Sequence, residues 1–289
     1  MTLPNKQPIK IIECPRDAMQ GWPHFIATED KIRYLNSLLQ VGFDTLDFGS
    51  FVSPKAIPQM RDTKELLPHL HLSDTNTKLL AIVANVRGAE EAVQYDEITY
   101  LGFPFSISPT FQLRNTNSTI EQSLQTVETI QKLCLQYGKT LVIYLSMGFG
   151  NPYGDTYNAS ILLQYADEMV QKGISIISLA DTVGLATPEQ IYFALNTLIP
   201  QYNNVALGVH LHTTAANYTN KLQAAFSTGC SRFDGALKGI GGCPMAQDDL
   251  VGNMPTEKMI YFFEQQHIPL HINKQALAES MAIAAEIFI

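Results

Sequence analysis

Short, nearly uninterrupted apolar runs recur along the chain, spaced so that a helix fits between most of them. Eight runs are interpreted as β-strands, at residues 9–14, 43–49, 78–85, 97–103, 140–147, 175–181, 205–212 and 232–239. Continuous apolar runs of this length are typical of parallel strands that are covered on both faces. The pattern therefore predicts a buried parallel sheet.

Helical patterns separate most of these runs. Helices are predicted near residues 28–40, 158–172, 214–228 and 256–267, and a short one within GAEEAVQYD, between the third and fourth strands. Ser118 followed by Glu121 predicts a capping box for a helix that ends at Gly138. Thr187 as N-cap with Pro188 and Gln190 begins another. Residues 273–289 predict a final amphipathic helix, docked on the barrel or on a partner chain.

Alternating strands and helices favour a single (β/α)8 TIM barrel over residues 1–289, with an additional C-terminal helix. The alternative is a doubly wound open sheet, whose dinucleotide fingerprint should follow the first strand. CPRDAMQG stands there instead, and GFGNPYG at 148–154 has the wrong spacing and a proline. The barrel is therefore the better prediction.

Composition narrows the range of partners and compartments. A net charge of −8 argues against nucleic acid or an anionic membrane as the main partner. The start of the chain lacks the apolar core of a signal peptide, and no apolar stretch approaches 18 residues. The four cysteines, Cys14, Cys134, Cys230 and Cys243, form no CxxC pair. We expect free thiols in a cytoplasmic protein and, by fold analogy, a homodimer.

Candidate chemistry collects where the predicted strands end, which is where TIM barrels hold their active sites. In VHLHTT (209–214), His210 and His212 are two residues apart, so both should face the barrel axis. With a carboxylate such as Asp17 and an amide oxygen such as Asn253, they form a mixed nitrogen and oxygen set. Such a set favours Mg²⁺ or Mn²⁺ over a thiolate zinc site. The alternative is a hydrogen-bonded histidine pair in a polar barrel mouth.

Several motifs together resemble the hydroxymethylglutaryl-CoA lyase family, which belongs to the metal-dependent lyase and Claisen-synthase barrels. They are PRDAMQ (15–20), SFVSPKAIPQM (50–60), the run Asp181-Thr182-x-Gly184, the HLH triplet (210–212) and GGCPMAQ (241–247) followed by a Gly-Asn pair. The similarity extends over almost the whole chain.

The resemblance implies a role for each matching residue. A divalent metal, Mg²⁺ or Mn²⁺, would be bound by Asp17, His210, His212 and Asn253. Arg16 would stabilise a thioester enolate, and Cys243 would be the catalytic thiol on a glycine-rich loop. The general base stays open among Asp17, Asp47 and His210. Other residues would line the substrate site: Gln20, Ser50, Ser178, Asp181 and Thr182.

The implied reaction is a retro-Claisen cleavage of 3-hydroxy-3-methylglutaryl-CoA, or of a close 3-hydroxyacyl-CoA, to acetoacetate and acetyl-CoA. The chain departs from the family pattern at three site positions. Asp47 stands where the family has glutamate, Thr213 replaces an acidic residue, and Asn151 replaces a cysteine. Two alternatives follow: an enzyme that condenses acetyl-CoA with a 2-oxo acid on the same barrel, or a degenerate barrel without activity.

Overall fold

The computed structural model describes residues 8–241 and 251–289. Its strands are β1 (Lys10–Glu13), β2 (Thr45–Ser50), β3 (Lys78–Ile82), β4 (Ile98–Ser106), β5 (Thr140–Ser146), β6 (Ile176–Asp181), β7 (Ala206–Thr213), β8 (Arg232–Gly235) and β9 (Gly252–Asn253). The first eight are parallel, and each pairs with the next along the chain. Pairing of β1 with β8 completes the ring. This closed sheet confirms the predicted TIM barrel.

Helices surround the ring. They are α1 (Pro15–Gln20), α2 (Thr28–Leu39), α3 (Thr63–Leu66), α4 (Val86–Ala92), α5 (Pro109–Thr116), α6 (Ile120–Gln136), α7 (Ala159–Gln171), α8 (Pro188–Leu198), α9 (Tyr218–Ser227), α10 (Thr256–Gln265) and α11 (Lys274–Ile287). The predicted short helix between the third and fourth strands is α4. The predicted last helix is α11, which docks on the barrel: Phe288, its C-cap residue, packs edge-on against Trp22 and Tyr34.

Local capping explains where the helices begin. The capping box at Thr187 and Gln190 is present, as predicted. The box predicted at Ser118 was wrong by one residue, because Thr119 and Gln122 exchange the two bonds instead. The helix predicted from residue 214 begins at Tyr218, since the Thr214 amide donates to Asn217 Oδ1 and closes a turn there.

Alternate strand residues divide the apolar interior into two layers. Leu80, Ile82, Val142 and Tyr144 form a small cluster of their own, whereas their sequence neighbours belong to the main core. Because successive strand residues point to opposite faces, the small cluster fills the inside of the barrel and the main core lies under the helices.

The segment after β8 returns to the barrel mouth as a strand. The strand predicted at 232–239 stops at Gly235, and a 3₁₀ turn covers Leu237–Gly239. Asn253, predicted in a loop, lies in β9, which pairs antiparallel with the end of β7 so that it faces His212. Among the described helices, none has the length and apolar character needed to cross a bilayer.

Candidate active site

Three elements bring the four predicted metal-binding residues together. Asp17 lies in the short helix α1, directly after β1, while His210 and His212 end β7 and Asn253 lies in β9. One ligand atom each from Asp17, His210 and His212 fall within 4.8 Å of one another. The Asn253 side-chain amide donates to Asp17 Oδ2 over 2.7 Å and to the Ile240 carbonyl over 2.9 Å. The fold therefore assembles the whole set.

Each histidine ring is held through its Nδ1 atom. His210 Nδ1 lies 3.3 Å from Asp234 Oδ2, and His212 Nδ1 lies 3.0 Å from the Thr182 carbonyl oxygen. Since a carbonyl oxygen only accepts, His212 carries its proton on Nδ1, which leaves a lone pair on Nε2. That Nε2 is buried and has no hydrogen-bond partner among the residues that the structure describes.

A divalent cation fits this arrangement. A buried ring nitrogen without a partner is costly unless something fills its lone pair. It lies beside a carboxylate and a second imidazole, the nitrogen and oxygen donors that Mg²⁺ and Mn²⁺ accept. A metal-binding histidine usually contacts a carboxylate or a carbonyl oxygen through its other ring nitrogen, and the Nδ1 atoms of His210 and His212 both make such a contact.

The electrostatics favour a charged Asp17 and a neutral His212. Burial acts to raise the pKa of Asp17, but Arg16 and the two histidines outweigh it and lower that pKa to about 2. Burial, together with His210, lowers the pKa of His212 to about 4. For His210, burial is outweighed by Asp234 and Asp17, so its pKa is raised.

A glycine makes room beside the cluster. Gly241 has a φ of +104°, and a Cβ there would lie 2.5 Å from Asn253 Nδ2 and 2.9 Å from the Asp17 carbonyl oxygen. Any larger residue would push Asn253 away from Asp17, so close packing around the cluster requires glycine at this position.

Arg16 links the cluster to Asp47. Its guanidinium contacts Asp47 Oδ2 over 2.5 Å and 3.0 Å and Asp17 Oδ1 over 2.9 Å. Gln20 donates to Asp17 Oδ1 over 2.7 Å. Burial raises the pKa of Asp47 to about 6 although Arg16 opposes the shift. The aspartate at position 47, although one methylene shorter than the family's glutamate, still contacts Arg16.

The residues predicted to line the substrate site are placed differently from one another. Ser178 is fully buried, and within residues 8–241 and 251–289 its Oγ has no hydrogen-bond partner. Ser50 Oγ donates a hydrogen bond to the Ile82 carbonyl and accepts one from the Val52 amide. Thr182 contributes its carbonyl to His212 and its hydroxyl to the Met147 amide. Asp181 is occupied by Lys221 and by the Ala186 amide.

The departures from the family pattern have local structural roles. Asn151 Oδ1 accepts from the amides of Tyr153 and Asp155, so this side chain organises its own loop. Thr213 donates to the Asn253 carbonyl over 3.2 Å and fastens β9 to β7. Cys243 lies outside the described residues. Cys14, Cys134 and Cys230 are free and buried.

The sequence did not single out three residues beside the site. Asp234 lies in β8 two positions after Arg232, so both side chains face the inside of the barrel. The alternation of polar and apolar residues along this strand could have identified Asp234. Tyr144, whose ring packs edge-on against His210, stands in an ordinary apolar run. Lys221 lies in a helix, where an isolated lysine usually indicates a solvated face.

Comparison with known proteins assigns the chain to one family. The chain matches the HMGL-like family model over residues 9–283. It is 32% identical to the hydroxymethylglutaryl-CoA lyase of Bacillus subtilis over 277 residues, which is 96% of this chain and 91% of that protein.

Two solved structures have the same fold. The B. subtilis HMG-CoA lyase aligns with a TM-score of 0.91 and 30% identity, over 99% of this chain and 95% of that one. The HMG-CoA lyase of Acinetobacter baumannii, in complex with coenzyme A and 3-methylmalate, aligns with a TM-score of 0.89 and 30% identity, over 97% and 91%. The chain therefore belongs to the HMGL-like family.

Proposed function

We propose that this protein is a divalent-metal-dependent carbon–carbon lyase that cleaves 3-hydroxy-3-methylglutaryl-CoA to acetoacetate and acetyl-CoA. The observation that carries the proposal is the convergence of Asp17, His210, His212 and Asn253 beside Arg16 at one mouth of the barrel. Relatives that bear the lyase name cover nearly the whole chain, and a coenzyme A complex of one of them supports an acyl-CoA substrate.

The four converging residues would hold Mg²⁺ or Mn²⁺. The chemistry that such an ion supplies is Lewis acidity together with a fixed template for the substrate's oxygen atoms. Asp17 is charged and His212 carries a free lone pair, as metal binding requires.

The side chains around the cluster would move the proton and stabilise the charge. A base drawn from Asp17, Asp47 and His210 takes the proton of the tertiary hydroxyl group. The raised pKa of Asp47 suits this task better than the lowered pKa of Asp17. The C2–C3 bond breaks, the C3 oxygen becomes the ketone of acetoacetate, and the electron pair moves to C2.

The charge formed at C2 spreads to the thioester oxygen as an enolate. Arg16 is oriented by two carboxylates and is placed to offer fixed positive charge there. Cys243 would donate the proton that converts the enolate to acetyl-CoA. Ser178, whose hydroxyl has no partner in the described part of the chain, and Gln20 would contact the acyl group. Ser50, Asp181 and Thr182 would support the same site.

The coenzyme's phosphates are anionic and the chain as a whole has a net charge of −8, so their binding needs cationic side chains placed locally. A cavity of about 220 Å³ beside Ser50 is lined by Arg61 and Arg87, among others. We place the phosphates of the acyl-CoA at this cavity. The cytoplasmic location and the homodimer remain predictions from the sequence.

An activity assay tests the proposal. Purified protein is given 3-hydroxy-3-methylglutaryl-CoA with Mg²⁺ or Mn²⁺ and then with a chelator, and acetoacetate is measured. We expect metal-dependent release that the chelator abolishes and that His212→Gln lacks. Metal binding without release would favour the condensing enzyme. Absence of both would favour the non-catalytic barrel.

A further inference from the structure

Lys221 is a buried lysine immediately behind the candidate metal site. It lies in α9, and its side chain is 2% exposed. Its ammonium donates to Asp181 Oδ2 over 2.6 Å, to the His212 carbonyl over 2.8 Å and to the Gly184 carbonyl over 3.0 Å. A lysine ammonium has three N–H donors, so these acceptors use all of them.

The three acceptors belong to the segments that orient His212. The His212 carbonyl is part of the histidine's own backbone, at the end of β7. Asp181 and Gly184 flank Thr182, whose carbonyl oxygen accepts the Nδ1 proton of His212. Lys221 therefore ties the backbone of His212 to the turn that holds its ring.

The Lys221–Asp181 ion pair is better explained by a role in positioning the backbone than by a contribution to folding stability. A buried ion pair often contributes no more to folding than apolar residues of the same volume would. Directional bonds from one ammonium to two chain segments do, however, fix the distance between those segments. Here those segments carry the backbone of His212 and the carbonyl that holds its ring.

We propose that Lys221, paired with Asp181, is a positioning residue that orients His212 toward the metal. The inference rests on the metal site of the proposed function and gives Asp181 a supporting role behind that site. The ammonium does not touch the substrate; it acts through the two chain segments that it joins.

The test measures metal affinity rather than turnover. Metal-free wild-type protein and Lys221→Met are titrated with Mn²⁺, and free Mn²⁺ is followed by electron paramagnetic resonance. We expect the dissociation constant of Lys221→Met to rise about 10- to 100-fold, as for loss of other residues that support metal ligands. Long-range ¹H–¹⁵N NMR of the metal-free proteins should show that His212 loses its single Nδ1–H form.

Two further variants separate positioning from general damage. The double variant Lys221→Met/Asp181→Asn leaves no unpaired buried charge, so it keeps the test valid where the single variant does not fold. Lys31→Met is the matched control, because Lys31 is fully buried, pairs with Asp62 over 2.7 Å and also donates to a backbone carbonyl. We expect Lys31→Met to lower stability but to keep the Mn²⁺ affinity within about two-fold of wild type, since the Lys31 pair, unlike the Lys221 pair, contacts none of the proposed metal ligands.

The outcomes are distinct. Wild-type affinity in both Lys221 variants would overturn the inference while leaving the metal site intact. Equal loss of affinity in Lys31→Met would also overturn it, because the effect would then come from destabilisation. A wild-type protein that binds no Mn²⁺ would remove the proposed metal site, and the inference with it.

Discussion

Arg16 is shared by two carboxylates, those of Asp47 and Asp17. Its Nε and one terminal nitrogen contact Asp47, and the other terminal nitrogen contacts Asp17. The planar guanidinium can serve both because its donors are fixed in a fork, which a lysine ammonium does not reproduce. The direction in which the positive charge faces the substrate is therefore set before the substrate arrives.

Replacing Arg16 by lysine tests this orientation. Arg16→Lys keeps one positive charge near two buried carboxylates, so the protein should fold. We expect kcat for acetoacetate release to fall about 100-fold, as for loss of one donor to a developing oxyanion. Steady-state kinetics at saturating Mn²⁺ measures the effect. A kcat close to wild type would mean that the enolate is stabilised elsewhere.

At the scale of single residues, the sequence predicts positions better than partners. The spacing of His210 and His212 was enough to predict that both face the barrel axis. The partner of the His210 ring, Asp234, lies in the neighbouring strand β8, and the partner of the His212 ring, the Thr182 carbonyl, lies in the turn after the neighbouring strand β6. Strand pairing and register decide these contacts, and neither is written in the local spacing.

At the scale of elements, Glu13 joins three parts of the chain. It ends β1, and its carboxyl accepts from the Leu237 amide over 2.9 Å and from the Thr256 hydroxyl over 2.5 Å. Leu237 follows β8 and Thr256 begins α10, so one side chain holds both ends of the segment that contains β9. The side chain is fully buried, and burial raises the pKa of Glu13 from 4.5 to about 8.

This raised pKa gives stability a defined pH dependence. The folded protein holds the Glu13 proton more tightly than the unfolded chain, so the contribution is complete below about pH 4.5. It declines as the pH rises and is lost once the pH passes about 8. Between pH 5 and pH 8 the loss should be on the order of 3 to 4 kcal/mol.

Glu13→Gln isolates this effect. The amide keeps an acceptor for Leu237 and a polar contact with Thr256, but it does not titrate. We expect the free energy of unfolding in urea to fall less between pH 5 and pH 8 in the variant than in wild type. Parallel pH profiles for the two proteins would contradict a neutral, buried Glu13.

The elements themselves were predicted more completely than their ends. Continuous apolar runs located the eight barrel strands, because burial on both faces leaves that pattern. Strand β9 has two residues, too few to show any pattern, and forms only because β7 offers it an edge at His212 and Thr213. Helix α6 begins one residue later than predicted, because Ser118 and Thr119 are adjacent and either can act as the N-cap.

At the scale of the molecule, the candidate metal site joins the first and last parts of the barrel. Asp17 follows β1, and Asn253 follows β8, yet their side chains are 2.7 Å apart. An ion bound by both binds only the closed barrel, so binding adds to the free energy of unfolding.

Thermal unfolding measures this coupling. At Mn²⁺ concentrations about 100 times the dissociation constant, the added stability should be about 2.7 kcal/mol. For a chain of this size we expect Tm to rise by about 5 °C. His212→Gln should show little shift at the same concentration. An equal shift in that variant would place the stabilising ion elsewhere.

The distance along the chain between Asp17 and Asn253 has a consequence for biosynthesis. The two residues are 236 positions apart in sequence, and the histidines are made late as well. During synthesis Asp17 is added to the chain early, and Asn253 is added only after all eight barrel strands. A nascent or truncated chain that lacks β9 cannot complete the proposed ligand set, so capture of the proposed ion would mark a chain whose synthesis has passed the last strand of the barrel.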